Sequence, residues 1–230
     1  MKGKPLSEGA AWTGSLAETA TQCSIRNSRV WATELALPWG EDWVLYEGVP
    51  DLSEARRQLV CRFVSQRLGL SETNVRFSVS GAGQPLLESV PGITVNWSHR
   101  LSFLLIAIAK GRMGVDLEIV DVKIPYMDIA VMFFSNTVVR TLRTLHPQVQ
   151  PMAFFLLWTI CEAYVKALGQ GLDESLTRTL DLAPVLRNRA ALKADITQTI
   201  YGPGLARACL FSGLVHCGGQ RLRLTKITAR

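Results

Sequence analysis

Two segments of the chain carry charged residues at spacings suited to phosphate chemistry. In a Gly-Val-Asp-Leu-Glu segment, the two-residue period of a strand places Asp116 and Glu118 on the same face. In residues 156–172, a helical period places Glu162 and Lys166 on one polar stripe of an otherwise apolar helix. Mg²⁺ prefers carboxylate, water and phosphate oxygens, so three carboxylates and a lysine would suit a metal–phosphate site.

Each of these features also has a simpler interpretation. Glu162 and Lys166 lie at i and i+4, and such an ion pair on a solvated helix face contributes only about 0.2–0.5 kcal/mol. Asp116 and Glu118 repel each other unless a cation lies between them, but a solvent-facing strand would also accept them. Neither segment alone specifies a site, and only their combination favours one.

A polar triplet at the end of a predicted strand supplies a third candidate cluster, Ser98, His99 and Arg100. A lone histidine more often has a structural role, but beside a serine and an arginine His99 is a plausible phosphate contact. The other two histidines lie in predicted loops. No Ser-His-Asp or Cys-His arrangement emerges from the sequence.

Hydrophobic periodicity predicts the elements that position these residues. Residues 53–70 have helical spacing closed by Gly69, with Arg56 among the arginines of the opposite face. The apolar helix has Pro151 near its first turn and Gly169 just past its end. A further helix is expected around residues 127–145, and strands are expected at residues 75–80, 93–97, 102–109, 113–120, 191–200, 205–215 and 221–229.

Composition limits the classes of function. The net charge of +6 and pI of about 9.3 favour an anionic partner, but the dispersed arginines disfavour specific nucleic-acid recognition. Five cysteines without CxxC spacing argue against a zinc site or a disulfide framework, and Cys161 points into apolar residues, which makes it a weak nucleophile. No uninterrupted apolar run reaches the roughly 18 residues of a membrane span, and no signal peptide is recognised. We therefore expect a cytoplasmic protein.

Taken in chain order, these segments resemble the 4′-phosphopantetheinyl transferases of the larger, pseudo-dimeric, surfactin-synthetase-activating type. The family pattern is a GxP turn, a strand ending in SH, a G-[IV]-D-x-E strand, an FFS segment and a W-x-x-x-E-x-x-x-K-x-x-G-x-G helix. This chain matches it at residues 83–85, 97–99, 114–118, 133–135 and 158–171. Each motif is weak alone, but their order and spacing together make a strong match.

The resemblance implies an α+β fold of two similar halves, each an antiparallel sheet packed with a long helix. The expected divisions are a poorly ordered arm at residues 1–28, a first half at residues 29–113, and a second half at residues 114–230 that carries the catalytic motifs. Because the pseudo-dimer is internal, we expect a monomer.

The resemblance also implies a reaction. The 4′-phosphopantetheine group of coenzyme A would pass to a serine of an acyl or peptidyl carrier protein, with release of 3′,5′-ADP. Asp116, Glu118 and Glu162 would hold Mg²⁺ on the pyrophosphate, and Glu162 would also act as the general base. Lys166 would contact the phosphate from which 3′,5′-ADP departs. The residues implied in coenzyme A binding are His99 at the 3′-phosphate, Ser98 and Lys166. On the basic face of the first helix, Arg56 or Arg57 could take over part of the phosphate binding.

This chain departs from the family pattern at three positions. Cys161 stands where lysine is usual, Gln84 where a basic residue is frequent, and Val138 where an acidic residue commonly follows the FFS segment. One alternative is therefore a non-catalytic module that binds coenzyme A, nucleotides or acidic proteins through its basic surface. Nonspecific binding of nucleic acid is a second alternative.

Overall fold

The computed structural model describes residues 29–32, 42–81, 84–187, 209–217 and 221–225. It has an α+β fold in which all strand pairs are antiparallel. The strands are β1 (Arg29–Ala32), β2 (Asp42–Glu47), β3 (Phe77–Val79), β4 (Pro85–Leu87), β5 (Ile93–Arg100), β6 (Phe103–Lys110), β7 (Arg112–Ile119), β8 (Cys209–Cys217) and β9 (Arg221–Thr225). The helices are α1 (Ser53–Leu68), α2 (Tyr126–Phe133), α3 (Asn136–Arg143), α4 (Gln150–Leu168), α5 (Glu174–Arg178) and α6 (Ala183–Arg187), with a 3₁₀ turn at Glu72–Asn74.

Strand β6 lies between two apolar cores, which explains its unbroken run of hydrophobic residues. The strands of its sheet are ordered β1-β2-β6-β5. One face of β6, which includes Leu104 and Ile106, packs with the apolar face of α1. The opposite face, which includes Phe103 and Leu105, packs with apolar residues of β7. Because side chains alternate between the two faces of β6, this strand contacts helix α1 on one side and the second sheet on the other.

The second sheet has the order β7-β8-β9, and α4 crosses β7 at very close range. A Cβ atom added at Gly114 would lie 1.9 Å from the carbonyl oxygen of Ala163 and 2.5 Å from the backbone nitrogen of Ala167. Only glycine permits this approach, because it has no side chain. The glycine of the Gly-Val-Asp-Leu-Glu segment therefore determines how near α4 comes to the acidic strand.

Helix α4 begins and ends where its sequence predicts. Pro151 is the second helical residue, and Gly169 ends the helix in the left-handed conformation with φ of 70°. Most of the helix is buried in a core shared with α2, α3 and α6. By length and composition alone α4 could span a bilayer, but 61% of the relevant window is buried inside the protein, as in many core helices.

The helix expected around residues 127–145 is instead two helices, so that prediction was wrong. Phe134 is extended, with ψ of 156°, and its side chain is buried. Ser135 then caps α3, since its Oγ accepts a hydrogen bond from the Val138 backbone N–H at 3.3 Å. A serine at an N-cap competes with continuation of the preceding helix, and the FFS segment is therefore a break between helices.

Other elements depart less from expectation. The predicted strands at residues 93–97, 102–109 and 113–120 are present as β5, β6 and β7, and β5 extends to Arg100. Strand β3 is shorter than the predicted residues 75–80, and strands β1, β2 and β4 were not predicted. The arm at residues 1–28 and the strand expected at residues 191–200 lie outside the described residues.

Candidate active site

Lys166 and Asp116 form the ion pair at the centre of the site. The Lys166 Nζ donates a hydrogen bond to Asp116 Oδ1 at 2.6 Å, and the Asp116 side chain is only 6% exposed. Ser98 Oγ donates to the same carboxylate oxygen at 2.9 Å, and Lys166 Nζ also lies 3.3 Å from Ser98 Oγ. Strands β5 and β7 and helix α4 thus bring three of the predicted residues into direct contact.

Glu118 contacts a different cation. The Nε of Arg100, at the end of β5, lies 3.2 Å from Glu118 Oε2, within ion-pair distance. Glu118 Oε2 is buried and accepts no hydrogen bond within the described residues, so the Arg100 Nε–H is not aligned to donate one. Burial raises the pKa of Glu118, Arg100 opposes that change, and the Asp116 and Glu162 carboxylates add to it.

Glu162 completes the group of carboxylates from the helix side. Its pKa is raised, first by burial and then by Asp116, while Lys166 acts in the opposite direction. Asp116 Oδ2 is buried and, like Glu118 Oε2, has no hydrogen-bond partner in the described part of the chain. As the side chains stand, no three His, Cys, Asp or Glu residues among those described form a compact metal-binding group.

Three cationic side chains and the Asp51 carboxylate lie near His99 on β5. The pKa of His99 is lowered, chiefly by partial desolvation and then by the Arg56 guanidinium, with smaller contributions from Lys166 and Arg100, whereas the Asp51 carboxylate opposes the change. Arg56 reaches this position from the first turn of α1 and pairs with Asp51 at 2.6 Å. The fold therefore brings Arg56 and Lys166 near enough to His99 for their charges to affect its pKa.

Comparison with known proteins covers the strand and the helix that carry this site. The sequence profile of the 4′-phosphopantetheinyl transferase superfamily matches residues 112–203, from the start of β7 through the whole of α4. Over these residues the chain is similar to this superfamily.

Three relatives illustrate the similarity to 4′-phosphopantetheinyl transferases. The enzyme Sfp of Bacillus subtilis (strain 168) is 30% identical over 115 residues, which is 50% of each chain. The enzyme psf-1 of Bacillus pumilus is 28% identical over 131 residues, 55% of each chain. HetI of Nostoc is 30% identical over 134 residues, 56% of each chain. The chain spans about half the length of the curated relatives it matches.

Two positioning contacts in this site were not foreseen from the sequence. Asn96 is buried, and its side-chain oxygen accepts a hydrogen bond from the Val115 N–H at 2.9 Å, which fixes β5 against β7 beside Asp116. Gln84 donates from Nε2 to the backbone oxygen of Lys166 at 2.7 Å. The contact of Asn96 could have been predicted from the sequence. An amide side chain within an apolar strand is expected to be buried, and a buried polar group needs a hydrogen-bond partner.

Cys161, at a position where the phosphopantetheinyl transferases usually carry lysine, lies away from the site. Its side chain is fully buried among the apolar residues that surround α4. Burial, with a smaller contribution from Glu162, raises the pKa of its thiol to about 12. At neutral pH the thiol is therefore protonated, which agrees with the prediction that it is a weak nucleophile.

An open cavity of about 620 Å³ lies beyond the end of α4, lined by residues between Gln170 and Thr179. None of the residues predicted for the site lines it. The candidate active site is instead the polar surface where β5, β7 and α4 meet.

Proposed function

We propose that the protein transfers the 4′-phosphopantetheine group of coenzyme A to a serine of an acyl or peptidyl carrier protein. The proposal rests mainly on one arrangement within the region similar to the superfamily, the Lys166–Asp116–Ser98 contacts with Glu162 alongside. The nucleophile would be the carrier serine. Its oxygen forms a bond to the phosphorus on the pantetheine side, and the phosphorus–oxygen bond to the nucleotide breaks, releasing 3′,5′-ADP.

The acidic residues fit a hard divalent cation. Two buried carboxylate oxygens, Asp116 Oδ2 and Glu118 Oε2, have no hydrogen-bond partner among the described residues, and Glu162 lies near enough for its charge to raise the pKa of Glu118. Carboxylate oxygens are the ligands that Mg²⁺ prefers. Bound by Asp116, Glu118 and Glu162, Mg²⁺ would neutralise negative charge on the pyrophosphate.

The basic residues would bind and orient the nucleotide. Lys166 Nζ has room to turn toward a phosphate, because its side chain is 29% exposed. His99 and Arg56 would contact the 3′-phosphate, with Ser98 at the edge of the same surface. An anion beside His99 would favour protonation of the imidazole, which its present neighbours disfavour. Phosphoryl transfer depends largely on such positioning and charge neutralisation.

Glu162 is the proposed general base for the serine proton. The pKa of Glu162 is raised, so it lies closer to neutral pH than the pKa of a solvated glutamate. A general base that must accept a proton near neutral pH is more effective with such a pKa. The proton would pass directly or through a water molecule. The same residue is a proposed metal ligand, so its substitution tests both roles.

We also propose that the fold is an internal pseudo-dimer, divided near residues 113 and 114. In support, α1 packs in one core with residues of β5 and β6, whereas α4 packs in a separate core with α2 and α3. A monomeric state and a cytoplasmic location remain predictions from the sequence.

The test is a mass measurement on carrier proteins. Purified protein with coenzyme A and Mg²⁺ should increase the mass of apo carrier proteins by one phosphopantetheine group each. No mass gain across a panel of carriers that a known transferase modifies in parallel would refute the proposal. The Glu162→Gln variant should show no gain, whereas Glu174→Gln, at an exposed acid on α5, should match the wild type.

Binding of coenzyme A without transfer would instead favour the non-catalytic module. One observation favours this alternative, because Lys166 already forms an ion pair with Asp116. Nonspecific nucleic-acid binding predicts steeply salt-dependent affinity for DNA or RNA and indifference to coenzyme A. The three carboxylates oppose it, since they would repel a phosphate backbone.

A further inference from the structure

Gln84 connects the turn before β4 to the end of the helix that carries Lys166. Its Nε2 donates to the Lys166 backbone oxygen at 2.7 Å, a contact between residues 82 positions apart in the sequence. Its Oε1 lies against the end of the helix as well, 2.6 Å from where a Cβ on Gly169 would be. The side chain therefore contacts both the lysine and the residue that ends α4.

The Gln84 backbone is itself held in place. The Ser80 N–H donates to the Gln84 carbonyl at 2.8 Å, and Ser80 Oγ accepts from the Gln84 N–H at 3.0 Å. These two bonds orient the side chain before it meets the helix. An amide presented in this way loses little additional freedom when it bonds to α4.

The bonded carbonyl belongs to the last turn of α4, where backbone oxygens have no partner further along the helix. Within the described residues, the Lys166 oxygen accepts from the Gly169 N–H at 3.1 Å and from Gln84. The side chain of the same residue bonds to Asp116, Ser98 and the Val115 oxygen. Lys166 is thus fixed at its backbone by Gln84 and at its amine by β5 and β7.

We infer that Gln84 is a positioning residue that holds the last turn of α4 so that the Lys166 amine stays aligned with Asp116 and the reacting phosphate. The catalytic part of this inference rests on the proposed function, whereas the alignment of Lys166 does not. Gln84 acts here through a neutral amide on the helix backbone and needs no charge of its own toward the nucleotide.

A chemical labelling experiment tests the alignment without any reaction. Trace acetylation of the folded protein, mapped by mass spectrometry, gives the labelling rate of Lys166 relative to the exposed Lys123. In Gln84→Ala and in Gln84→Glu, which keeps the size but loses the donor, this ratio should rise about threefold or more, as expected for loss of one hydrogen bond. Leu86→Ala, at an exposed position on β4, is the control and should leave the ratio unchanged. An unchanged ratio in both Gln84 variants would overturn the inference.

Kinetics then test the consequence for transfer. In both Gln84 variants kcat should fall by about three- to tenfold with little change in KM for coenzyme A, because the contact acts on Lys166 rather than on the nucleotide. In a Lys166→Ala background, Gln84→Ala should have almost no further effect. A raised KM at unchanged kcat, or fully additive losses, would show that Gln84 does not act through Lys166. If the wild type transfers nothing, the proposed function fails, and the labelling ratio still decides the role of Gln84.

Discussion

Lys166 pairs with Asp116, 50 residues earlier in the chain, and not with Glu162 one helical turn away. The nearer carboxylate is the partner that helical spacing predicts, and Lys166 does lower its pKa. The hydrogen bond nonetheless goes to the strand, because the close packing of α4 on β7 places a buried carboxylate within reach of the amine. Lys166 therefore takes part in a contact between a helix and a sheet, and not in an ion pair along the helix surface.

Gly114→Ala should severely destabilise the protein. The added methyl group would overlap the backbone of α4 at Ala163 and Ala167, which cannot move without displacing Lys166. We expect the free energy of unfolding to fall by about 3 kcal/mol or more, measured by urea denaturation. Gly171→Ala is the matched control, since a Cβ there meets no atom within 4 Å. Equal stabilities for the two variants would contradict the close contact.

His99 should make stability depend on pH. Its pKa in the folded protein is lowered from 6.5, so the unfolded chain takes up the proton first as the pH falls. The associated stability is complete above the unfolded pKa and is lost as the pH falls from 6.5 through the folded pKa. His99→Gln should reduce this loss in denaturation measured between about pH 8 and about pH 5, whereas the exposed His146→Gln should not. Identical pH profiles for wild type and His99→Gln would refute the assignment.

Arg100 should compete with a divalent cation for Glu118. The guanidinium lies 3.2 Å from the Glu118 carboxylate but is 54% exposed, so Arg100→Ala should change the free energy of unfolding by less than about 1 kcal/mol. Calorimetric titration with Mg²⁺ alone should show an affinity about two- to fivefold higher in this variant, because a competing charge is removed. Arg112→Ala, an exposed arginine at the start of β7, serves as the control. Weaker Mg²⁺ binding in Arg100→Ala would indicate that Arg100 orients Glu118 and does not compete.

Restoring the family lysine at position 161 should damage the protein. The Cys161 side chain is fully buried, so Cys161→Lys would place an ammonium group in an apolar core. We expect a loss of about 3 kcal/mol or more in the free energy of unfolding, since an unpaired buried charge is strongly unfavourable. Leu172→Lys, at a position 39% exposed, should be nearly neutral. Higher transfer activity in a stable Cys161→Lys variant would show that the position does reach the site.

Local sequence rules predicted the elements that carry the site. Alternation along β7 correctly assigned Asp116 to a different face from Val115 and Leu117, which lie in the core. Proline and glycine correctly marked the two ends of α4. The same rules failed at residues 127–145, because helical periodicity continues across the FFS segment while Ser135 caps a new helix there.

The sequence by itself determined which residues share a face within each element, since the strand and helix periods are properties of the backbone. The order of the motifs also showed the resemblance to the 4′-phosphopantetheinyl transferases, which match residues 112–203. Only the tertiary structure decided which faces meet: Lys166 with Asp116, Arg100 with Glu118, and Gln84 with the end of α4. These pairings join residues distant in sequence, and they depend on how closely one element packs on another, which no local period encodes.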